Sequence, residues 1–429
     1  MRLPGRLAAA IEVLDDIDRR HRPVAEALKS WGLNNRFAGA GDRAAIGNLV
    51  YDALRRRLSH AWAMGEDTPR ALVLSVAVRD WAVTPEELND LFAQDTHAPP
   101  ILSADEAHRL GAGQPWLDAP EHVLADLPEW ALHSLAASFG GNAVQEGHAL
   151  AARPPLDLRV NTLRTDRERV LKSLARFGAV PTTIAPQGLR IVAGQRDSRT
   201  PNVQVEEGYL KGWFEVQDQG SQIVASLAGA TAHEQVLDLC AGAGGKTLAM
   251  AAAMGNTGQI FAYDSDRHRL APIYDRLKRN GVRNVQVRAP NDGALDDLVG
   301  KMGRVVIDAP CTGSGTWRRR PDAKWKLTAE QLAVRVAEQE SILDDGARYV
   351  GPGGTLVYIT CSILDEENGR QAAQFLAGHP EFESVPMAAA LQALAPRALE
   401  HVHPQENGVL LTPLRTGTDG FYAFVARRR

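Results

Sequence analysis

Two of the three cysteines of this sequence, Cys311 and Cys361, each follow a short β-branched run and precede a polar, turn-forming stretch: Asp308-Ala309-Pro310-Cys311-Thr312-Gly313-Ser314-Gly315 and Thr360-Cys361-Ser362. A thiolate is nucleophilic near neutral pH and leaves again by elimination. That chemistry suits a pyrimidine, whose C5 is a poor nucleophile until something adds to C6. Two thiols converging beside a methyl donor would allow methylation at C5, and Asp308 could hydrogen-bond the ring N3 or the exocyclic amine to stabilise the adduct. The commoner fate of a single cysteine is that of a small buried hydrophobe. Cys240 fits that fate best, packed beneath a glycine-rich loop, whereas Cys311 and Cys361 do not.

The loop in question is Cys240-Ala241-Gly242-Ala243-Gly244-Gly245-Lys246-Thr247, which follows the strand-like run Val236-Leu237-Asp238-Leu239 and opens a helix of small residues. Glycines let the backbone approach a ligand closely, and a helix N-terminus offers free N–H groups. A P-loop needs glycine where Cys240 stands, and a dinucleotide fingerprint needs glycine where Thr247 stands. What is left is a methyltransferase loop holding the methionine part of S-adenosylmethionine. The next strand ends in Asp264, about 20 residues on, where ribose hydroxyls need an acceptor. After the third strand, Asn291-Asp292 could accept from an adenine amino group. Each acid alone is more often a helix cap or turn residue; their register with the strands favours the joint reading.

The elements that must position these groups are β-branched runs alternating with helices from about Trp213 onward: Gln235 to Leu239, Gln259 to Tyr263, Val285 to Val287, Arg304 to Ile307 and Thr355 to Ile359. Such alternation predicts a parallel sheet with helices on both faces and ligands at the carboxyl ends of its strands. If the first strand is central, the fourth and fifth lie side by side and their cysteines face one pocket. Upstream, residues 1 to about 130 carry apolar residues at three and four spacing (Leu7, Ile11, Leu14; Ile46, Leu49, Val50, Leu54), which predicts an all-α module. Between them, strands at Leu156 to Val160 and Leu189 to Val192 flank a helix at Arg164 to Phe177, a small α/β unit. The expected domains are 1–135, helical; 136–212, linker and small α/β subdomain; and 213–429, a Rossmann-like class I methyltransferase domain.

Bulk properties narrow the class. Three widely spaced cysteines make neither a disulfide framework nor a metal site, so the thiols stay free and no metal is expected. Apolar runs such as Leu248 to Met254 fall short of a membrane span, and Asp15, Asp16 and Asp18 break what a secretory h-region would need; a cytoplasmic protein without membrane partners is expected. A net charge of -4 over 429 residues argues against indiscriminate coating of nucleic acid. Local cation clusters exist all the same, and in Trp317-Arg318-Arg319-Arg320-Pro321-Asp322-Ala323-Lys324-Trp325 they interleave with aromatics between the two cysteines. Beside the expected pocket, this pattern suits phosphates and stacked bases of unpaired RNA, with Arg318, Arg320 and Lys324 as contacts.

Taken together, the motifs resemble the Sun-type, RsmB-like RNA cytosine-5 methyltransferases of bacteria. The resemblance rests on Gln217-Asp218-Gln219-Gly220-Ser221-Gln222, the glycine-rich loop, the Pro-Cys and Thr-Cys pairs, Glu366-Glu367-Asn368 and Asp419-Gly420-Phe421-Tyr422. It implies that Cys361 is the nucleophile and that Cys311 assists release of the methylated RNA. It also implies cofactor contacts from Cys240, Ala241, Gly242, Ala243, Gly244, Gly245 and Lys246, and from Asp264, Asp292 and Asp308. Upstream, Asp157-Leu158-Arg159-Val160-Asn161-Thr162-Leu163 is similar to the family's RNA-contacting lead-in, with Arg159 and Asn161 as contacts. The stretch from Asp42-Arg43 to Leu54-Arg55-Arg56-Arg57 resembles the NusB-like RNA-binding domain of the enzymes that act on small-subunit ribosomal RNA, and a monomer is expected. One departure is Gly242-Ala243, where the family has Ala-Pro, a more rigid turn. Two other readings compete: DNA cytosine methylation, in which Cys311 would attack, and a non-catalytic RNA-binding factor on the same fold. Thr360-Cys361 speaks against the first, and the intact cysteines with Asp264 and Asp308 against the second.

Overall fold

Apolar side chains at helical spacing drive the first part of the chain into a bundle of helices, and strands appear only from Leu156 onward. A computed structural model describes all residues from Met1 to Arg429. It separates into two compact units: Met1–Arg153 with Ala193–Pro201 and Trp317–Lys326, and Pro154–Val192 with Asn202–Thr316 and Leu327–Arg429. No helix is long and apolar enough to cross a membrane.

In the helical unit, Leu3–Arg20 packs on Ala40–Arg55 and on Pro69–Ser75, burying Leu7, Leu14, Ile46, Leu49, Leu54 and Leu72 completely. Helices Glu129–Phe139 and Ala143–Leu150 pack within this unit, whose first segment ends at Arg153, before Pro154-Pro155. The segment Trp317–Lys326 enters the same core as a short helix, Pro321–Lys326, against Ala40–Arg55. Lys324 is only 1% exposed; its Nζ donates to the carbonyls of Arg55 at 2.8 Å and Asp126 at 2.6 Å. Trp325 Nε1 donates to the Leu54 carbonyl, and Arg55 Nε to the Arg318 carbonyl.

The interleaved cations and aromatics are therefore largely a packing device. Lys324 and Arg318 are buried, which removes them from the expected RNA contacts; Arg320 alone of the three is exposed. Desolvation pulls the Lys324 ammonium down to about 8, a cost accepted because two carbonyls need its donors.

The other unit holds two sheets. The smaller is antiparallel, in the order β2-β3-β1-β4, with β1 at Leu156–Val160, β2 at Val180–Pro181, β3 at Gly188–Ile191 and β4 at Phe214–Val216. Strand β1 is central, its backbone paired with β3 and β4 on either side, and its side chains from Asp157 to Val160 are buried. Asp157 pairs with Arg190, and Arg159 Nε donates to Gln217 Oε1 at 2.6 Å. Asn161, just after β1, donates to the carbonyls of Gly212 and Asn280 and accepts from the Leu163 N–H. Arg159 and Asn161 are buried and stitch this sheet to its surroundings, which corrects the expectation that they meet RNA.

The larger sheet runs β11-β12-β13-β9-β8-β5-β6-β7, with β10 on β13. Its strands are β5 Gln235–Asp238, β6 Gln259–Tyr263, β7 Val285–Arg288, β8 Met302–Asp308, β9 Val350–Thr360, β10 Phe382–Ser384, β11 His403–Pro404, β12 Val409–Leu411 and β13 Phe421–Arg428. Strands β5 to β9 are parallel, but β13 pairs antiparallel with β9 from Tyr422↔Thr360 to Arg427↔Thr355, so the sheet is mixed rather than parallel throughout. The chain leaves β5 toward β6 and β7 on one side, while β8 and β9 lie on the other. That reversal lies between β5 and β8, the switch point at whose carboxyl ends ligands bind in doubly wound sheets.

Replacing Lys324 with Ala should destabilise the protein by roughly 2–4 kcal/mol, since it leaves two buried carbonyls without donors and a void. Scanning calorimetry would register a lowered melting temperature; an unchanged one would mean that Lys324 has no structural role.

Candidate active site

Strand β5 delivers its last residue, Asp238, fully buried, with the Thr247 hydroxyl donating to Oδ2 at 2.6 Å and Oδ1 unpartnered. Desolvation, ahead of the Asp308 charge, raises this carboxyl to about 7. Beyond it the loop turns through Gly242 and Gly244, at φ +49° and +84°. A β-carbon on Gly244 would lie 2.6 Å from Ile273 Cγ1, so glycine is required there on two counts. The loop is tied to β6 by the Ala241 N–H on the Tyr263 carbonyl and by the Gly242 N–H on Asp264 Oδ2, at 2.9 Å. Asp264 Oδ1 accepts from the Asp266 N–H, and Arg276 donates to the Ala243 carbonyl. The Gly242-Ala243 departure is thus accommodated by backbone hydrogen bonds. Helix Gly245–Ala253 starts here, with open space above Gly245. Burial pushes the Cys240 thiol upward, in keeping with a neutral packing residue. Asp292 lies exposed in the loop after β7.

Strands β8 and β9 bring the other two cysteines together: Cys311 Sγ and Cys361 Sγ are 3.3 Å apart. The hydrogen bond to Cys361, then burial and the Cys361 charge, hold the Cys311 thiol well above its ordinary range. Asp308, at the end of β8, accepts from Lys246 Nζ at 2.9 Å. Lys246 is itself buried, with its ammonium 5.2 Å from the Phe421 ring centroid. The two thiols are thus brought together, and Lys246 reaches from the glycine loop to Asp308 at the end of β8.

Residues that reasoning from sequence did not single out hold the thiols in place. Glu367, closed to solvent, accepts from the Thr312 N–H at 2.8 Å and its hydroxyl at 2.5 Å, and from the Gln339 amide at 2.9 Å. The same Gln339 nitrogen donates to the Pro310 carbonyl. Asn368 bridges Thr360 Oγ1 and the Ser362 carbonyl, while Ser314 and Ser362 hydroxyls meet at 2.8 Å. The Gly315 N–H donates to the Cys361 carbonyl, and the Gly420 N–H to the Gly315 carbonyl. A β-carbon on Gly315 would sit 2.2 Å from the Gly420 carbonyl oxygen, so this crossing admits glycine only. The signal was present in the Glu366-Glu367-Asn368 string, though not its meaning.

Asp238 yields a pH test. Folded, its carboxyl keeps a proton up to about pH 7, against 3.8 ordinarily; the folded state therefore binds more protons across that window, and stability falls as pH rises through it. Asp238→Asn keeps an acceptor for Thr247 and should remove a loss of roughly 2–4 kcal/mol between pH 4 and 7. Urea unfolding of both proteins across that range would show the flattened slope; parallel pH profiles would contradict the assignment.

Residues 225–426 match 16S rRNA methyltransferase RsmB/F, and residues 127–196 match the ferredoxin-like domain of RsmF/B-like methyltransferases. A probable ribosomal RNA small subunit methyltransferase B from Synechocystis is 34% identical over 60% of this chain and 58% of its own length. Ribosomal RNA small subunit methyltransferase B from Sodalis glossinidius is 34% identical over 69% of this chain and 64% of its own. The chain thus spans about three fifths of the length of these relatives. The solved structure of the protein PH0851 superposes with a TM-score of 0.74 at 24% identity, over 100% of this chain and 99% of that one, and shares the fold. The cofactor of such methyltransferases is S-adenosylmethionine. Both matched segments describe the same kind of protein, so over residues 127–196 and 225–426 the chain carries the two domains of the RsmB/F methyltransferases.

Proposed function

We propose that this protein transfers a methyl group from S-adenosylmethionine to C5 of a cytosine in small-subunit (16S) ribosomal RNA, through a covalent bond from Cys361 to C6 that Cys311 helps to break. The observation that carries the reading is the 3.3 Å approach of the two thiols at the ends of β8 and β9, beside the loop that follows β5. The names of the relatives support ribosomal RNA as substrate. The helical unit is read as a NusB-like RNA-positioning module, in a cytoplasmic enzyme that acts as a monomer.

The residues present suit the cofactor. Its sulfonium and ammonium are cationic, and two carboxyls, Asp264 and Asp308, stand around the loop, beside Asp238 with its orphaned buried oxygen. Its carboxylate suits the free N–H groups that open helix Gly245–Ala253. When bound, S-adenosylmethionine supplies an electrophilic methyl group on a positively charged sulfur. Cys240 to Lys246 and Asp264 would cradle it, with Asp264 fixing the loop through Gly242 and Asp292 reaching the adenine.

The protein's own groups account for the remaining steps. Cys361 gives up its proton and, as the thiolate, bonds through its sulfur to C6. Asp308, steadied by Lys246, accepts from the exocyclic amine as charge redistributes over the ring. C5, made nucleophilic, would then take the methyl that the bound cofactor supplies, the S–CH3 bond breaking to leave a neutral thioether. Once its sulfur is a thioether, Cys361 neither accepts the Cys311 proton nor repels a second negative charge. Two causes that held the Cys311 thiol high are thereby removed, and it can lose its proton to water. The Cys311 thiolate then takes the C5 proton, the C6–S bond breaks and Cys361 leaves as thiolate.

Cys361→Ala should abolish methyl transfer and any covalent adduct. Cys311→Ala should still attack but stall on the methylated base, so that a slow-migrating protein–RNA band accumulates in a denaturing gel. Tritiated methyl transfer to 16S ribosomal RNA, run beside that gel, checks both; an adduct with Cys361→Ala and none with Cys311→Ala would exchange the roles and revive the DNA-type mechanism.

A further inference from the structure

A second basic cluster lies outside the cysteine crevice, where the turn before β4 meets helix Ile273–Asn280. It encloses an open groove of about 710 Å³ whose lining includes Arg164, Lys211, Trp213, Lys278 and Arg279, against one carboxylate, Asp275. Arg164, Lys211 and Lys278 are exposed. The ion pair between Lys211 and Glu207 joins two solvent-exposed side chains and is weak in water. Arg279, by contrast, is anchored by the buried Glu215 and belongs to the scaffold.

Guanidinium groups sit over the aromatic rings here. Arg169 lies 4.3 Å from the Trp213 ring centroid and Arg279 4.2 Å from that of Tyr209. Arg164 is laid against the cap of the helix: a β-carbon on Gly281, at φ +69°, would come within 2.5 Å of its guanidinium. A guanidinium stacked on an indole keeps its charge and its in-plane donors, and turns its outer face to solvent as a platform for an unpaired base. Lysine ammonium groups at either side supply phosphate contacts.

We propose that this groove binds single-stranded RNA, with phosphates on Lys211, Lys278 and Arg164 and a base on the Arg169–Trp213 stack. The inference rests on the reading of the protein as an RNA methyltransferase and assigns that substrate a binding surface remote in sequence from the cysteine motifs. Paired RNA fits less well, because its bases are already stacked and offer no free face.

The test uses the full-length protein and a short fluorescein-labelled unpaired RNA of mixed sequence, alone and annealed to its complement, followed by anisotropy over a range of salt. The double variant Lys211→Glu, Lys278→Glu should bind unpaired RNA at least tenfold more weakly, with the salt slope reduced by about 0.7 for each phosphate no longer neutralised. Arg169→Lys keeps the charge but loses the plane; it should weaken unpaired RNA several-fold at unchanged slope. Melting temperature and S-adenosylmethionine affinity should not move, since these side chains are exposed. Unchanged RNA affinity in the double variant would overturn the proposal, as would duplex bound as tightly as single strand by the native protein. Methyl transfer to 16S ribosomal RNA by the native protein, measured in parallel, reports separately on the proposed activity. The binding data decide the groove in either case.

Discussion

The side chain of Glu367 has no solvent to satisfy it and three donors that converge on it: the N–H and hydroxyl of Thr312 and the amide of Gln339. A buried acceptor of this kind tolerates little displacement, because any donor that drifts away leaves an uncompensated polar group. Thr312 follows Cys311 directly, and Glu367 lies one short turn beyond Cys361. Fixing one loop on the other through this carboxyl therefore sets the distance between the thiols. Thr360, Asn368, Ser314 and Ser362 add a second ring of hydrogen bonds under the same two loops. The glycine-only crossing of Gly315 and Gly420 leaves no room for the floor to shift.

The reactivity of the pair follows from that fixed distance. Two thiols this close cannot both ionise readily, and in the proposed mechanism Cys361 is the one that attacks. The same proximity makes the state of one sulfur depend on the other, which lets a single pair serve attack and release in succession. The chain between the two cysteines also detours through the helical unit, where Lys324 and Trp325 are bound by backbone carbonyls of residues far away in sequence. Formation of the cysteine centre is thus covalently tied to folding of the helical unit.

Much of this was legible from residue order. Periodicity located β5 to β9, and the position of β5 between β6 and β8 followed from the cofactor loop, which brought Cys311 and Cys361 to adjacent strand ends. The antiparallel strands β10 to β13 were missed, because short apolar runs such as Val409–Leu411 carry no direction until a partner is known. Asp238 read as part of a strand; its isolation from water and its raised carboxyl depend on the central position of β5 between β8 and β6. The segment Trp317–Trp325 misled for a general reason. Cations among aromatics look alike whether they meet phosphates or carbonyls, and only the tertiary partners Arg55 and Asp126 distinguish the two. Arg159 and Asn161 failed likewise, through the central position of β1. The basic groove escaped notice because its members, Arg164, Arg169, Lys211 and Lys278, come from segments with no shared motif.

The central claim is that Cys361 carries the base during the reaction. It is tested most directly by incubating the native protein with S-adenosylmethionine and 16S ribosomal RNA containing 5-fluorocytidine, whose C5 has no proton to surrender, so that the adduct cannot resolve. Proteolysis and mass spectrometry then locate the modified peptide. The account predicts a methylated fluorocytidine nucleotide on the peptide containing Cys361 and an unmodified Cys311; a nucleotide on Cys311, or no covalent nucleotide on either, would contradict it.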